Sequence, residues 1–166
     1  PNLLDAKSGK NQKLIEVDHP ILDNLDIEKI RNIDKFTSNK LRAVTLSICY
    51  NKEESPNLEI ENFLQTICVE AEKVINSNAC NIIILSDREV DKKNIAIPAL
   101  LATSSVHHHL IKKGLRTKVG LIIETGEARR VHDLCLLAGY GAEAINPYLA
   151  FYTLSNIIKN HNKEIE

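Results

Sequence analysis

Ile97–Phe151 reads IPALLATSSVHHHLIKKGLRTKVGLIIETGEARRVHDLCLLAGYGAEAINPYLAF, and its apolar rhythm decides the fold. Pro98 opens a helical pattern that Gly114 closes, and Lys118–Ile123 is an almost unbroken apolar run that ends at Glu124-Thr125-Gly126. A second helix follows over about Ala128–Ala138, stopped by Gly139, and then a short strand over about Ala142–Ile145. Asn146-Pro147 is an N-cap followed by proline at the first helical position, which starts a last helix to about Lys159.

The same alternation extends upstream. Asn81–Leu85 (NIIIL) is apolar on both faces, as a covered parallel strand must be, and it stops at Ser86-Asp87-Arg88. The charged loop from there to Ile97 is expected on the surface. Before it, Ile60, Phe63, Leu64, Ile67, Cys68, Ala71, Val74 and Ile75 form one stripe at helical spacing, with Ser55 and Pro56 suited to the helix start. Asn76-Ser77-Asn78 ends that helix, since asparagine tolerates the left-handed conformation found there. Arg42–Tyr50 alternates with period two and reads as one strand.

The order is therefore β-α-β-α-β-α-β-α, with strand spacings of about 38, 38 and 24 residues that suit right-handed crossovers between parallel strands. Four consecutive βα units make either a half-barrel, resembling part of a (β/α)8 barrel, or a small doubly wound open sheet. Residues 1–40 are polar with scattered apolar patches. They read as an arm carrying a short helix near Ile27–Ile33, capped by Asp26, ahead of an α/β domain over 41–166.

Composition closes several routes. A formal net charge of −1 gives no electrostatic case for nucleic acid or an anionic membrane surface, and no apolar run reaches the ~20 residues of a membrane span. The first residues have no signal-peptide character. Methionine is absent even at position 1, so a processed product or a piece of something longer is expected. Cys49, Cys68, Cys80 and Cys135 lie in or beside apolar elements without ligand spacing and read as reduced core cysteines of an intracellular protein.

Three features imitate chemistry. His107, His108 and His109 are consecutive on a helix, so successive side chains diverge by about 100° and cannot meet on one metal ion. A helical wheel makes His107 a buried hydrogen-bonded residue, His108 a boundary residue and His109 solvated. Gly139-Tyr140-Gly141-Ala142-Glu143-Ala144 imitates a dinucleotide fingerprint, but its glycines follow a helix and precede a strand, the reverse of what the motif needs. The strand ends carry more weight. Ser86, Asp87, Arg88, Glu124, Thr125, Asn146 and Tyr148 should gather at one end of a parallel sheet, where α/β folds place ligands. There Asp87 and Glu124 would be an acid–base pair and Arg88 an anion holder, or the whole set would be an interface, or capping. The residues leave all three open.

LSDR (Leu85–Arg88), the run Ile97–His132 and GYGAEAINPYLAFYTL (Gly139–Leu154) closely resemble the central domain of the glutamate synthase large chain. NLLD (Asn2–Asp5) and LRAVTLSI (Leu41–Ile48) extend the resemblance over nearly the whole chain. It implies a parent enzyme that makes two glutamates from glutamine and 2-oxoglutarate, with a Cys-initiated glutaminase domain and an FMN barrel bearing a 3Fe–4S cluster. The central domain between them is expected to be a connector without cofactor, beside the path ammonia takes. Those two domains are the implied partners, and the cytoplasm or a plastid the implied location. The matching runs are not catalytic motifs, so no catalytic, cofactor-binding or metal-binding residue carries over. A stand-alone α/β enzyme or ligand-binding half-barrel using Asp87, Arg88 and Glu124 is the competing expectation, and self-association of the isolated chain is left open.

Overall fold

The computed structural model of the chain describes residues 15–51, 53 and 59–163, with side chains to Asn160. The elements are α1 (Asn24–Arg31), α2 (Ile33–Phe36), β1 (Ala43–Ser47), β2 (Cys49–Asn51), α3 (Ile60–Asn76), β3 (Ile82–Ser86), β4 (Asn94–Ala96), α4 (Ala99–Lys112), β5 (Gly120–Glu124), α5 (Val131–Gly139), β6 (Ala144–Asn146) and α6 (Tyr148–Lys163). A 3-10 turn, Arg116–Lys118, precedes β5. Strands β1, β3, β5 and β6 form a parallel sheet in that spatial order. Spatial order follows chain order, so every crossover steps the same way. A doubly wound sheet reverses at a switch point, and this one does not. The half-barrel arrangement is the one the chain adopts.

Period two sorts the strand residues onto two faces. Ile83, Leu85, Leu121, Ile123 and Ile145 pack with Ile67, Ala71 and Ile75 of α3, with Ala102, Val106 and Leu110 of α4, and with Leu137 of α5. Ile82, Ile84, Ile122 and Ala144 face the other way, onto Leu22, Ile27 and Ile30. The N-terminal segment therefore seals the face that a half-barrel would otherwise leave open. Burying each of those three aliphatic side chains contributes roughly 1.5–3 kcal/mol. The segment is also stitched to the sheet edge: Leu22 N–H donates to the Ile145 carbonyl and Ile145 N–H to that of Pro20, both at 2.8 Å.

Several local expectations need correction. The first strand breaks at Ile48, because it runs past the end of β3. Ile48 N–H donates to the Ser86 carbonyl, and Ile97 N–H donates to the Ile48 carbonyl, each at 2.9 Å. Beyond that pin β2 pairs antiparallel with β4 instead of continuing the parallel sheet. Asp23 caps α1 in place of Asp26, accepting from the N–H groups of Leu25 and Asp26 at 2.7 Å. Helix α5 starts at Val131, three residues late, because Asp133 holds the N–H groups of Arg129 and Arg130 outside the helix. Cys135 is exposed, unlike the buried Cys68 and Cys80; burial pushes the Cys80 thiol up to about 11. Asn78 does adopt the left-handed conformation, at φ 52°. The helix start expected at Ser55-Pro56 and the first part of the arm lie outside the described residues.

Candidate functional site

Ser86, Glu124 and Asn146 are the last residues of β3, β5 and β6 and sit side by side in register. They continue the alternation of Ile82, Ile84 and Ile122, so they point to the face covered by α1. Glu124 is completely buried there. Arg31, at the end of α1, donates Nη2–H to both of its carboxylate oxygens at 2.9 and 2.8 Å. Arg88 Nε–H donates to Oε1 at 2.7 Å, and the Ser86 hydroxyl to Oε2 at 2.5 Å. Arg31 also reaches Thr45 Oγ1 of β1. One carboxylate thus ties α1, β1, β3 and β5 together.

The next residue along each strand points to the opposite face. Asp87 is buried and accepts from the Thr125 hydroxyl at 2.6 Å and from Gly126 N–H at 3.1 and 3.0 Å. The Tyr148 side chain lies beside the same carboxylate, and the Arg88 guanidinium lies 4.4 Å above the Tyr148 ring. Asn146 donates to the Leu22 carbonyl at 2.9 Å and to Asn24 Oδ1 at 3.1 Å. Its Oδ1 is the one buried side-chain polar atom without a partner among the described residues.

The seven strand-end residues gather at one end of the sheet, on its two faces, where Arg31 and Arg88 neutralise Glu124 and uncharged donors hold Asp87. Burial pushes the Glu124 carboxyl up, but the Ser86 hydroxyl and the Arg31 and Arg88 guanidiniums outweigh it and hold the group below the usual carboxylate range. An ionised carboxylate between two guanidiniums is a weak base near neutrality and has no proton to give. Burial, with the neighbouring Asp87 carboxylate, pushes the Tyr148 hydroxyl up, away from use as an acid or nucleophile. The backbone donor at this end, Gly126 N–H, is already paired with Asp87. Among the described residues no group of three His, Cys, Asp or Glu side chains is placed to hold a metal ion.

The histidines behave differently from their expected roles. His107 is half-buried and accepts at Nδ1 from Arg116 Nε–H at 3.0 Å. Burial, then Arg116 and His108, lower its pKa. His108 is exposed, not a buried polar residue, and His109 is not solvated: its Nε2 sits 3.0 Å from Glu72 on α3, with 15% of the side chain exposed. The buried arc of α4 centres on Ala99, Ala102, Thr103, Val106 and Leu110, which places His108 opposite it and the other two on its flanks. Exposed Ile111 drew the sequence-based arc to one side. Arg31, Asn24 and Arg116 were the participants that sequence reasoning missed. No local pattern marks them, since each acts on a partner far along the chain or through backbone.

A parallel half-barrel sheet with one face sealed by its own N-terminal segment, and a buried carboxylate at its strand ends paired with two arginines, defines the class as a small α/β domain. The family model for the glutamate synthase central domain matches residues 1–166, and the chain belongs to that family. It is 37% identical over 158 residues to the glutamate synthase (NADPH) large chain of Bacillus subtilis, covering 95% of this chain and 10% of that one. It is 36% identical over 154 residues to the ferredoxin-dependent glutamate synthase of Pyropia yezoensis, covering 92% and 9%. With the glutamate synthase (NADH) of Saccharomyces cerevisiae it shares 32% over 168 residues, covering 98% and 8%. The chain thus spans about a tenth of the length of these relatives.

Proposed function

We propose that this domain is a non-catalytic connector within a glutamate synthase large chain, whose reaction makes two L-glutamates from L-glutamine, 2-oxoglutarate and reducing equivalents. It links the glutaminase domain to the FMN barrel, beside the path of ammonia, and leaves FMN and the 3Fe–4S cluster to the barrel. The observation that supports this reading best is the saturation of Glu124, whose two oxygens are shared among Arg31, Arg88 and Ser86. An end built for turnover keeps an acid, a base or an anion holder free for substrate. Within this reading the described part of the N-terminal arm, residues 15–40, covers the α/β unit that begins at 41. The location is that of the parent enzyme, cytoplasm or plastid; no helix among the described residues is long and apolar enough to cross a membrane.

The purified chain is expected to show no flavin absorbance and to release no glutamate from glutamine. In a large chain carrying the domain, Glu124→Gln should lower the unfolding temperature of this domain and leave the activity of the folded molecules unchanged. A flavin spectrum, glutaminase turnover by the isolated chain, or lost activity at full folding would overturn the connector reading.

A further inference from the structure

Helix α6 stands apart from the rest of the fold. Its first turn is anchored, with Leu149 against Gly126 and Tyr148 under Arg88, but every described residue from Tyr152 to Asn160 is exposed. Leu154, Ile157 and Ile158 are each 55–60% exposed. At 100° per residue, Ala150, Phe151, Leu154, Ile157 and Ile158 fall within an arc of about 120° whose centre lies about 140° from the anchored Leu149. A surface helix ordinarily turns its apolar arc toward its own core. This one turns it away. From Tyr148 to Asn160 the only charged residue is Lys159, so the exposed surface is not a solvated charged face either.

We infer that the arc Phe151, Leu154, Ile157 and Ile158 docks, as a helix in an apolar groove, onto another part of the same glutamate synthase large polypeptide. The inference rests on the connector reading above. Two observations select this occupant over a second copy. The arc exposes roughly 400 Å², short of the about 800 Å² per partner that stable interfaces between separate proteins bury. A groove on the same polypeptide needs less, because linkage makes docking intramolecular at a high effective concentration. The relatives supply such polypeptide in quantity, since this stretch is 10% or less of their length.

The test is hydrogen–deuterium exchange over residues 152–160, in the 166-residue chain alone and in a large chain carrying it. Exchange is expected at least tenfold slower in the large chain. Leu154→Asp should abolish that protection, as should Leu154→Asn, which adds no charge, while Asn156→Asp, which puts the same charge on the other side of the helix, should keep it. Equal exchange in the two proteins overturns the docking. Concentration-dependent dimers of the 166-residue chain with α6 protected overturn it in favour of a second copy. Either result leaves the connector reading standing, because that reading fails only by flavin content or activity.

Discussion

The two ends of the parallel sheet are both closed by arginine, yet the two closures differ in what they bury. At the carboxyl ends of the strands, Arg31 and Arg88 neutralise a carboxylate that has no access to water. At the amino ends, Arg116 donates to His107, to the Val119 carbonyl at 2.8 Å and to the Gly141 carbonyl at 2.9 Å, and pairs with a Glu143 that is 58% exposed. A groove of about 630 Å³, bordered by His107, Arg116, Glu143 and the apolar Ile82 and Ile122, adjoins this second closure. The difference is one of consequence. A buried carboxylate that loses a counter-charge is stranded, whereas an exposed glutamate at a groove can turn to water.

The largest effect is therefore expected at the carboxyl end. Arg31→Met leaves Glu124 with Arg88 as its single counter-charge and should destabilise by about 3 kcal/mol, the low end for breaking a buried pair. Arg88→Met should cost less, since Arg88 is 41% exposed and the two-oxygen contact of Arg31 survives. Urea unfolding of the two variants decides the order. An Arg88→Met loss as large as that of Arg31→Met would break the idea that α1 carries the main neutralising charge.

Glycines sharpen the comparison next. At Gly141 the backbone has φ +115°, and an added Cβ would lie 2.2 Å from His107 Nδ1, in a ring that Arg116 holds in place. Gly141→Ala should cost about 2–3 kcal/mol, strain and overpacking combined. At Gly126 the Cβ would meet Leu149 Cδ1 at 2.6 Å and Leu149 Cγ and the Tyr148 hydroxyl at 3.0 Å, all side-chain atoms that can shift, so Gly126→Ala should cost about 1 kcal/mol. Arg116→Ala should fall between them at about 2 kcal/mol, as the two carbonyls it serves lose their donor. Thermal unfolding of the three variants reads the order, and a Gly126 effect above that of Gly141 would mean that α6's root is stiffer than its exposed length implies.

Much of this fold was legible because it is written in local periods. NIIIL at Asn81–Leu85 suits a strand covered on both faces, and all of Ile82–Leu85 is buried. The βα order followed, and with it the gathering of Ser86, Glu124 and Asn146. What those residues do together was not legible, because the deciding partner, Arg31, is 93 positions from Glu124 on a helix of eight residues. The same holds for His109 and Glu72, 37 positions apart on neighbouring helices. The choice between half-barrel and doubly wound sheet was also beyond local reading, since both use the same βα units and differ only in strand order. The cap expected at Asp26 falls instead to Asp23, whose backbone is extended at ψ 178° while Asp26 already lies inside the first turn.

The smallest expected effect separates the two ends by pH. His107 has its pKa lowered from 6.5, so as pH falls below about 6.5 the unfolded chain takes up this proton before the folded one does, and stability declines. Protonation would also remove the Nδ1 lone pair that Arg116 uses and place a cation beside that guanidinium and His108, with only Glu143 opposing. Glu124 works in a lower window. Its folded pKa lies below 4.5, so its contribution is whole above that value and is lost as pH falls through the folded pKa. Asp133, held at about 2 by Arg130 and the N–H groups of Arg129 and Arg130, shares this acid limb. His107→Gln, which keeps an acceptor for Arg116, should therefore flatten the slope of stability between pH 5 and 6.5 and leave the acid limb alone, while Glu124→Gln should do the reverse in part. Urea midpoints measured from pH 3 to 8 check both. If His107→Gln moved the acid limb, or Glu124→Gln the neutral one, the two ends would be one coupled network instead of two separate closures.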